Sequence, residues 1–320
     1  MKRIVDERWL QANGKRADWS ETVEGSVENR GMGMRGLVFR YNSRHGLIGA
    51  APHYGLCETA RRGRLGQTRE QYLLEMGRLF APMTQVAAAN PYSSSAVSPC
   101  TAEELVTVGE RNRMIAQPYP QRLIARDQVN QGAAVVLTTV GTARELGIPE
   151  DRWVYLHGHA ALAEREVMDR QDMGAYPAAV MACKDAMRQA GITTDELSFF
   201  DFYSCFPIAV SSVAVDGLGL SADDPRGLTV TGGLAYFGGP GNNYVTHSIA
   251  QMVDTVRARP GSFGMVTANG SYLTKHSVGI YSTQPTRGGW KREDPARLQA
   301  EMDAGPKVRV ETAPNGPAVI

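Results

Sequence analysis

Asp201-Phe202-Tyr203-Ser204-Cys205-Phe206-Pro207 places a phenol and a thiol two positions apart, where an apolar run gives way to proline. A thiol at such a turn can act as a nucleophile and a phenol as a general acid or base, provided that neighbours shift their pKa values. The competing roles are plain packing for Cys205 as a small hydrophobe and a backbone hydrogen bond for Tyr203. A second group is Gly232-Gly233 followed by Gly238-Gly239-Pro240-Gly241-Asn242-Asn243, ahead of a helix that carries His247. Glycines permit positive φ and close approach of a ligand, and amides at a helix start can hold an anion or a developing oxyanion. A structural turn with Asn243 as helix cap is the other reading. The stretch lacks Gly-Lys-Ser/Thr and a proper G-x-G-x-x-G, so it does not support nucleotide binding. The third group is Ala268-Asn269-Gly270-Ser271 with Lys275-His276. A histidine exchanges protons near neutral pH, but adjacent residues of a strand point to opposite faces, so only one of Lys275 and His276 reaches a common pocket. Residues 228–281 hold two of these groups, with nine glycines and two of the six histidines, and read as the floor of an active site. His45, His53, His157 and His159 lie in loops or at element edges and read as structural.

The elements that must position these groups follow from periodicity and punctuation. A helix is expected over residues 1–11, then loop to residue 36, in which Met32 and Met34 read as a plain surface loop, the alternative being an apolar loop that covers an acyl chain. Two helices with a glycine link are expected between residues 47 and 80, the second capped by Thr68, and a third short helix begins at Thr101. GAAVVLTTV is a strand-length apolar run. From Trp153 the order is strand (153–162), helix (177–190, stopped by Gly191), strand (197–202), helix (208–218), strand (from 228), helix (244–257) and two hairpin strands around Thr267 and Ile280. Alternation of this kind gives an α/β fold with helices packed on a mixed sheet. The tail beyond Gly288 is charged, holds four prolines after Arg292, and suggests a final strand at VRVET with little burial.

The chain has 320 residues, enough for two ordinary domains, and a net charge of +1 from 34 basic and 33 acidic residues. Bulk charge therefore announces no polyanion, and nucleic acid is not expected as a ligand. Cys57, Cys100, Cys183 and Cys205 have no C-x-x-C spacing, which argues against zinc and a secreted disulfide framework and for reduced thiols in a cytosol. With no apolar run of membrane-spanning length and a charged start, the expectation is a cytoplasmic protein.

At these motifs the chain resembles the thiolase superfamily, specifically the branch similar to the sterol-carrier-protein type of thiolase, often labelled acetyl-CoA acetyltransferases. Residues from about 40 to 128 resemble the thiolase loop domain, VNQGAAVVLTT the last strand of the amino-terminal half, and residues 153–282 the carboxy-terminal half. The resemblance implies a mixed five-stranded sheet with helices on both faces plus a mostly helical loop domain. It divides the chain into 1–128 (remnant of the amino-terminal half and loop domain), 129–150 (last strand and helix of that half) and 151–320 (carboxy-terminal domain). No internal repeat appears, so one of the two similar halves of a thiolase is expected to be largely missing. A longer gene or a separate polypeptide would supply it.

The resemblance further implies a coenzyme A thioester as substrate, no covalently bound cofactor, and a homo-oligomer or a hetero-oligomer with a thiolase-like partner. The Asn-Glu-Ala-Phe or His-Asp-Cys-Phe motif of thiolases reads Tyr203-Ser204-Cys205-Phe206, placing Tyr203 where the oxyanion-binding residue belongs. Gly238-Gly239-Pro240 replaces Gly-His-Pro and loses the activating histidine, and the second cysteine motif falls near Ala268-Asn269-Gly270, which has no thiol. Some thiolase-like proteins without these cysteines perform retro-aldol cleavage of acyl-CoA, using tyrosines as acid and base and a small zinc-ribbon/OB-fold partner. On that pattern Tyr203 is the oxyanion donor or acid, Cys205 lies beside it, and His247, His276 or Tyr272 is a second proton carrier. Gly238, Gly239, Asn242, Asn243, Asn269 and Gly270 then cradle the thioester. The expected activity is acyltransferase by resemblance, making or breaking a carbon–carbon bond without a thiolate. The alternative is a non-catalytic subunit that supplies acyl-CoA binding or an assembly surface.

Overall fold

In the strand Phe263–Gly270 both Met265 and Val266 are buried, at 0% and 3% exposure. Successive strand residues face opposite sides, so this strand is covered on both. The computed structural model that shows this describes residues 9–15, 24–26, 40–290, 294–309, 311 and 313–317. The chain divides into two units, residues 1–34 and 35–320. In the first, residues 9–12 are helical; the Trp9 carbonyl receives the Asn13 side-chain amide, and the Trp9 ring lies under the Lys15 ammonium. The rest of the helix expected over residues 1–11, and Met32 and Met34, lie outside the described residues.

The second unit begins with α1 (Arg40–Arg44), α2 (Ala50–Arg64), α3 (Arg69–Ala89) and α4 (Ala102–Val106), followed by the short pair β1 (Met114–Ala116) and β2 (Tyr119–Pro120). Thr68 and Thr101 each form a full capping box, with Gln71 and Glu104 respectively, as the S/T-x-x-E/Q pattern requires. After α5 (Val140–Glu145) come β3 (Tyr155–Ala163), α6 (Pro177–Ala190), β4 (Leu197–Asp201), α7 (Pro207–Val210), α8 (Tyr244–Ala258), β5 (Phe263–Gly270), β6 (Lys275–Ser282) and α9 (Pro295–Ala304). Proline at the first position of α6 and Gly191 at φ 68° after its end bound that helix where the sequence says they must.

Among the described residues the main sheet has four strands in the order β3-β6-β5-β4, with β4 and β5 parallel and the other pairs antiparallel. Helix α6 packs on β3 and β6, while α8 packs on β5 through Met252, Val256 and Val266, a cluster separate from the main core. The sheet is thus mixed and layered by helices, as expected, and two anticipated strands have other fates. At 228–231 the chain turns its amides onto a side chain: Val230 N and Thr231 N both donate to Asp201 Oδ2 at 3.0 Å. A ladder cannot form where a carboxylate takes the donors. The run GAAVVLTTV is irregular, with Val136 and Leu137 each 88% exposed and no strand beside it among the described residues.

The tail also departs from expectation. Asp294 caps α9, and Leu298 and Met302 are buried in the main core, which the charged, proline-dotted sequence concealed. Val308 and Arg309 are irregular; the remainder of the strand expected at VRVET lies partly outside the described residues. Among the described residues no helix is long and apolar enough to cross a membrane.

Candidate functional site

β4 ends at Asp201, and the backbone amide of Tyr203 donates to Thr267 Oγ1 on β5 at 2.9 Å, so the Tyr203–Cys205 corner is pinned to the neighbouring strand. Along β5, residues 265, 267 and 269 share one face, which brings Asn269 to the same side as Thr267. There the Cys205 thiol can donate to Tyr54 Oη at 3.4 Å or to Asn269 Oδ1 at 3.7 Å. Tyr54, from α2, stacks on Phe206 with ring centroids 4.1 Å apart, and Tyr272 meets the Tyr54 ring edge-on at 6.2 Å. His53 stacks on Tyr272 at 4.3 Å and contacts the Gly49 carbonyl through Nδ1 at 2.7 Å, so Nε2 holds the lone pair when Nδ1 carries the proton. The cluster reaches the surface through half-buried Tyr203, Asn269 and Tyr272.

Two features hold it in shape. The first is Glu58, one helical turn after Tyr54 and fully buried. Its carboxylate receives Ile208 N at 2.8 Å, Tyr119 Oη at 3.1 Å and the Tyr72 hydroxyl, which ties α2 to the start of α7 just beyond Cys205. Burial raises its pKa to about 7 against the lowering effect of these donors. The second is the β5–β6 turn. Ser271, Tyr272 and Leu273 have φ of 51°, 57° and 61°, three consecutive non-glycine residues in the left-handed region. Such residues cost on the order of 1–3 kcal/mol each and persist only where the surroundings fix them. Here Thr274 N closes on Gly270 O at 3.1 Å, and Thr274 Oγ1 on Ser271 O at 2.7 Å.

Electrostatically the site is neutral. Burial pushes the Cys205 thiol up to about 11, only partly opposed by the Tyr54 hydrogen bond, and burial together with nearby Cys205 raises the Tyr203 phenol. Near pH 7 both are protonated donors. Alkylation of Cys205 by iodoacetamide, followed by peptide mapping, is therefore expected to accelerate about tenfold per pH unit past pH 9, where an ordinary thiol with a pKa of about 8.5 levels off. A plateau near pH 8.5 would show instead that Cys205 ionises normally.

The sequence-expected residues separate into two sets. Tyr203, Cys205 and Asn269 come together, with Gly270 beginning the adjoining turn. His276, opposite Asn269 in the β5–β6 register, is buried; desolvation and then Arg170 hold it down to about 3, and Nε2 contacts Leu273 O at 3.2 Å. It is a neutral internal group near pH 7. His247 stands behind the Tyr244 and Phe237 rings, with buried Nε2 unpartnered among the described residues and its pKa lowered by burial.

The glycine stretch packs on the protein itself. Gly239 N donates to Arg126 O at 2.7 Å, and a Cβ on Gly238 would sit 2.3 Å from Gln131 Oε1. Asn243 accepts from Ala133 N and donates to Ala133 O, while Asn242 is exposed. Its link to the cluster is indirect: Ala125 N donates to Cys205 O, next to the Arg126 carbonyl that holds Gly239. Sequence reasoning missed His53, Tyr54 and Glu58, although the Tyr54–Glu58 spacing was a visible signal that one helix face carries phenol and carboxylate together.

No protein-family model matches the sequence. A 3-ketoacyl-CoA thiolase from Erwinia tasmaniensis is 32% identical over 153 residues, 42% of this chain and 32% of that protein. A monomeric SCP2-thiolase-like protein type 1 from Mycobacterium smegmatis has a crystal structure that superposes with a TM-score of 0.81 at 53% identity, over 85% of this chain and 59% of that one. The fold is also shared with the Ltp2–ChsH2(DUF35) aldolase, at a TM-score of 0.61 and 18% identity over 80% of this chain and 69% of that one. The chain thus spans about a third of the curated relative's length and under two thirds of the more similar structure's.

Proposed function

Because the chain belongs to the thiolase-like superfamily, with an SCP2-thiolase-like relative at 53% identity over 85% of its length, we propose that it binds an acyl-CoA thioester and makes or breaks a carbon–carbon bond next to the thioester carbonyl without a thiolate. The observation that carries this reading is the state of the Tyr203–Cys205 pair. The thiol's hydrogen-bond partners are a phenol and an amide, neither of which removes its proton near pH 7, so covalent acyl transfer through Cys205 has no activating base. The Tyr203 hydroxyl has no hydrogen-bond partner among the described residues and stays protonated. It is therefore a ready donor to an enolate oxygen.

In the cleavage direction the β-hydroxyl of the substrate loses its proton, the bond between the α- and β-carbons breaks, and its electron pair forms the thioester enolate. Tyr203 donates a hydrogen bond to the enolate oxygen, and Tyr272, a phenol that burial keeps protonated near pH 7, takes the β-hydroxyl proton as it passes its own to the α-carbon, so the two transfers balance. Tyr272, against His53, is the second proton carrier best placed beside Tyr54 and Cys205. Asn269 lies in position to orient the thioester.

The test is to incubate the protein with a set of 3-hydroxyacyl-CoA esters of increasing chain length and to measure the aldehyde or ketone together with the shortened acyl-CoA. Appearance of both in equal amounts supports the reading. No cleavage of any ester, alone or with a DUF35-type protein added, counts against it.

A second reading, that the chain is a binding or assembly subunit, is favoured by residues 133–139. This irregular apolar run leaves Val136 and Leu137 each 88% exposed, the kind of apolar surface that a partner chain covers. The aldolase of similar fold is described with a DUF35 protein, whereas the 53%-identical relative is described as monomeric. CoA binding with no turnover, restored when a partner is supplied, is the outcome that this second reading expects.

A further inference from the structure

A cleft of about 620 Å³ opens between the loop that precedes α6, the outer side of α6, and α9. Its wall includes Arg170, a guanidinium only 7% exposed. Two of its three nitrogens are satisfied: Nε donates to Arg165 O at 2.7 Å and Nη2 to Leu273 O at 2.8 Å. Nη1 is buried and has no acceptor among the described residues, and no described carboxylate pairs with the group. The buried hydroxyl of Tyr176, beside the Cys57 thiol and under the Arg170 guanidinium at 5.0 Å, also lacks an oxygen or nitrogen partner among the described residues.

The cleft's own acids are engaged elsewhere. Asp172 pairs with Arg64, Asp216 with Arg61 and Arg64, and Glu301 with Arg297 at 3.7 Å. Glu164 receives the amides of Arg165 and Ala178, each at 2.9 Å. Arg165 is spent on the carbonyls of Met302, Gly305 and Pro306, and Lys184 stands exposed at the rim. A buried guanidinium without a counter-ion costs several kcal/mol. A cleft of this volume holds a metabolite-sized ligand.

We infer that this cleft is a second ligand site, distinct from the Tyr203–Cys205 cluster, which takes a small organic oxyanion. The carboxylate or phosphate-ester head bonds Arg170 Nη1 and the Tyr176 hydroxyl, and an apolar body lies against Pro177, Val180, Met181 and Met302. Because the same guanidinium holds Leu273 O, the occupant also braces the left-handed turn that carries Tyr272.

The test uses the full chain, labelled for NMR at methionine methyls and backbone amides and titrated with butanoate, phenyl phosphate and inorganic phosphate. The result expected is a saturable shift at Met181, Lys184 and Tyr272 with butanoate or phenyl phosphate, and weaker binding of inorganic phosphate, which has the head without the body. Arg170→Met is expected to weaken binding by roughly tenfold or more, the effect of losing a charged hydrogen bond. Lys184→Glu, at an exposed position, is expected to weaken it several-fold without affecting folding. The inference is overturned by the lack of a saturable shift with either organic anion, by shifts confined to another part of the molecule, or by unchanged affinity in folded Arg170→Met. If that variant does not fold, the wild-type shift map and Lys184→Glu decide the matter.

Discussion

Tyr203→Phe is expected to lower acyl-CoA cleavage by about 10²–10³-fold in kcat, the range seen when one oxyanion donor is removed, with little change in KM or in unfolding temperature. The ring keeps its edge-on contact with Tyr244 at 5.3 Å, and the backbone amide keeps Thr267, so only the hydroxyl is lost. Since that hydroxyl bonds no described protein group, its removal leaves no orphaned partner and the fold does not suffer. The pH behaviour separates this role from that of a base. A phenol whose pKa is raised stays a donor to higher pH than an ordinary one, and Cys205, up to about 11, does the same. Neither group therefore introduces a limb into the kcat profile between about pH 6 and 9, and any limb found there belongs to another residue. Steady-state kinetics of wild type and Tyr203→Phe across that interval, with thermal unfolding in parallel, measure all three quantities. Turnover by the variant within about twofold of wild type would remove Tyr203 from the chemistry.

What the sequence could and could not disclose follows from which interactions are local. Caps at Thr68 and Thr101, the stop at Gly191 and the proline start of α6 depend on neighbours within four positions, and each is present. The meeting of Tyr203, Cys205 and Asn269 was legible because strand ends on one rim of an α/β sheet converge. The glycines of 232–241 were legible as places of close approach, but not as to what approaches. A Cβ on Gly232 would lie 2.5 Å from the backbone of Ala87, and one on Gly233 2.6 Å from Ser204 Oγ, so the protein's own helix and corner fill the space. His276 shows the same limit. The β5–β6 register sets it opposite Asn269, while its burial, and the low pKa that burial and the Arg170 charge impose, depend on chain 100 positions or more away, at Arg170 and Tyr176. On α2 nothing in the sequence singled out Glu58 and Arg61 as buried. They are 0% and 2% exposed because Tyr72, Tyr119, Glu75 and Asp216, from other elements, close over them.

Asp201 is where a single replacement is expected to cost the most. At 1% exposure its carboxylate accepts six hydrogen bonds: at Oδ2 from Thr229 Oγ1, Val230 N, Thr231 N and Thr231 Oγ1, and at Oδ1 from Tyr244 Oη and Ser248 Oγ. Asp201→Ala strands two backbone amides and leaves the hydroxyls to rearrange around a void, which places the loss of stability at about 4 kcal/mol or more. Asp201→Asn should be milder, about 2 kcal/mol, for a geometric reason. Its single oxygen can remain at Oδ2, where fixed N–H groups require an acceptor, while its NH₂ faces Tyr244 and Ser248, whose hydroxyls rotate to accept. Urea unfolding of the three proteins measures the order. Equal losses for Ala and Asn would mean that the negative charge, and not the acceptor geometry, holds the 228–231 segment. The same carboxylate fixes Tyr244, whose ring edge meets Tyr203 two residues beyond Asp201, so Asp201→Ala should also depress kcat in whatever fraction remains folded, whereas Asp201→Asn should retain most of it. A buried carboxylate that consumes the donors of a would-be fifth strand thus holds the corner on which the proposed chemistry depends.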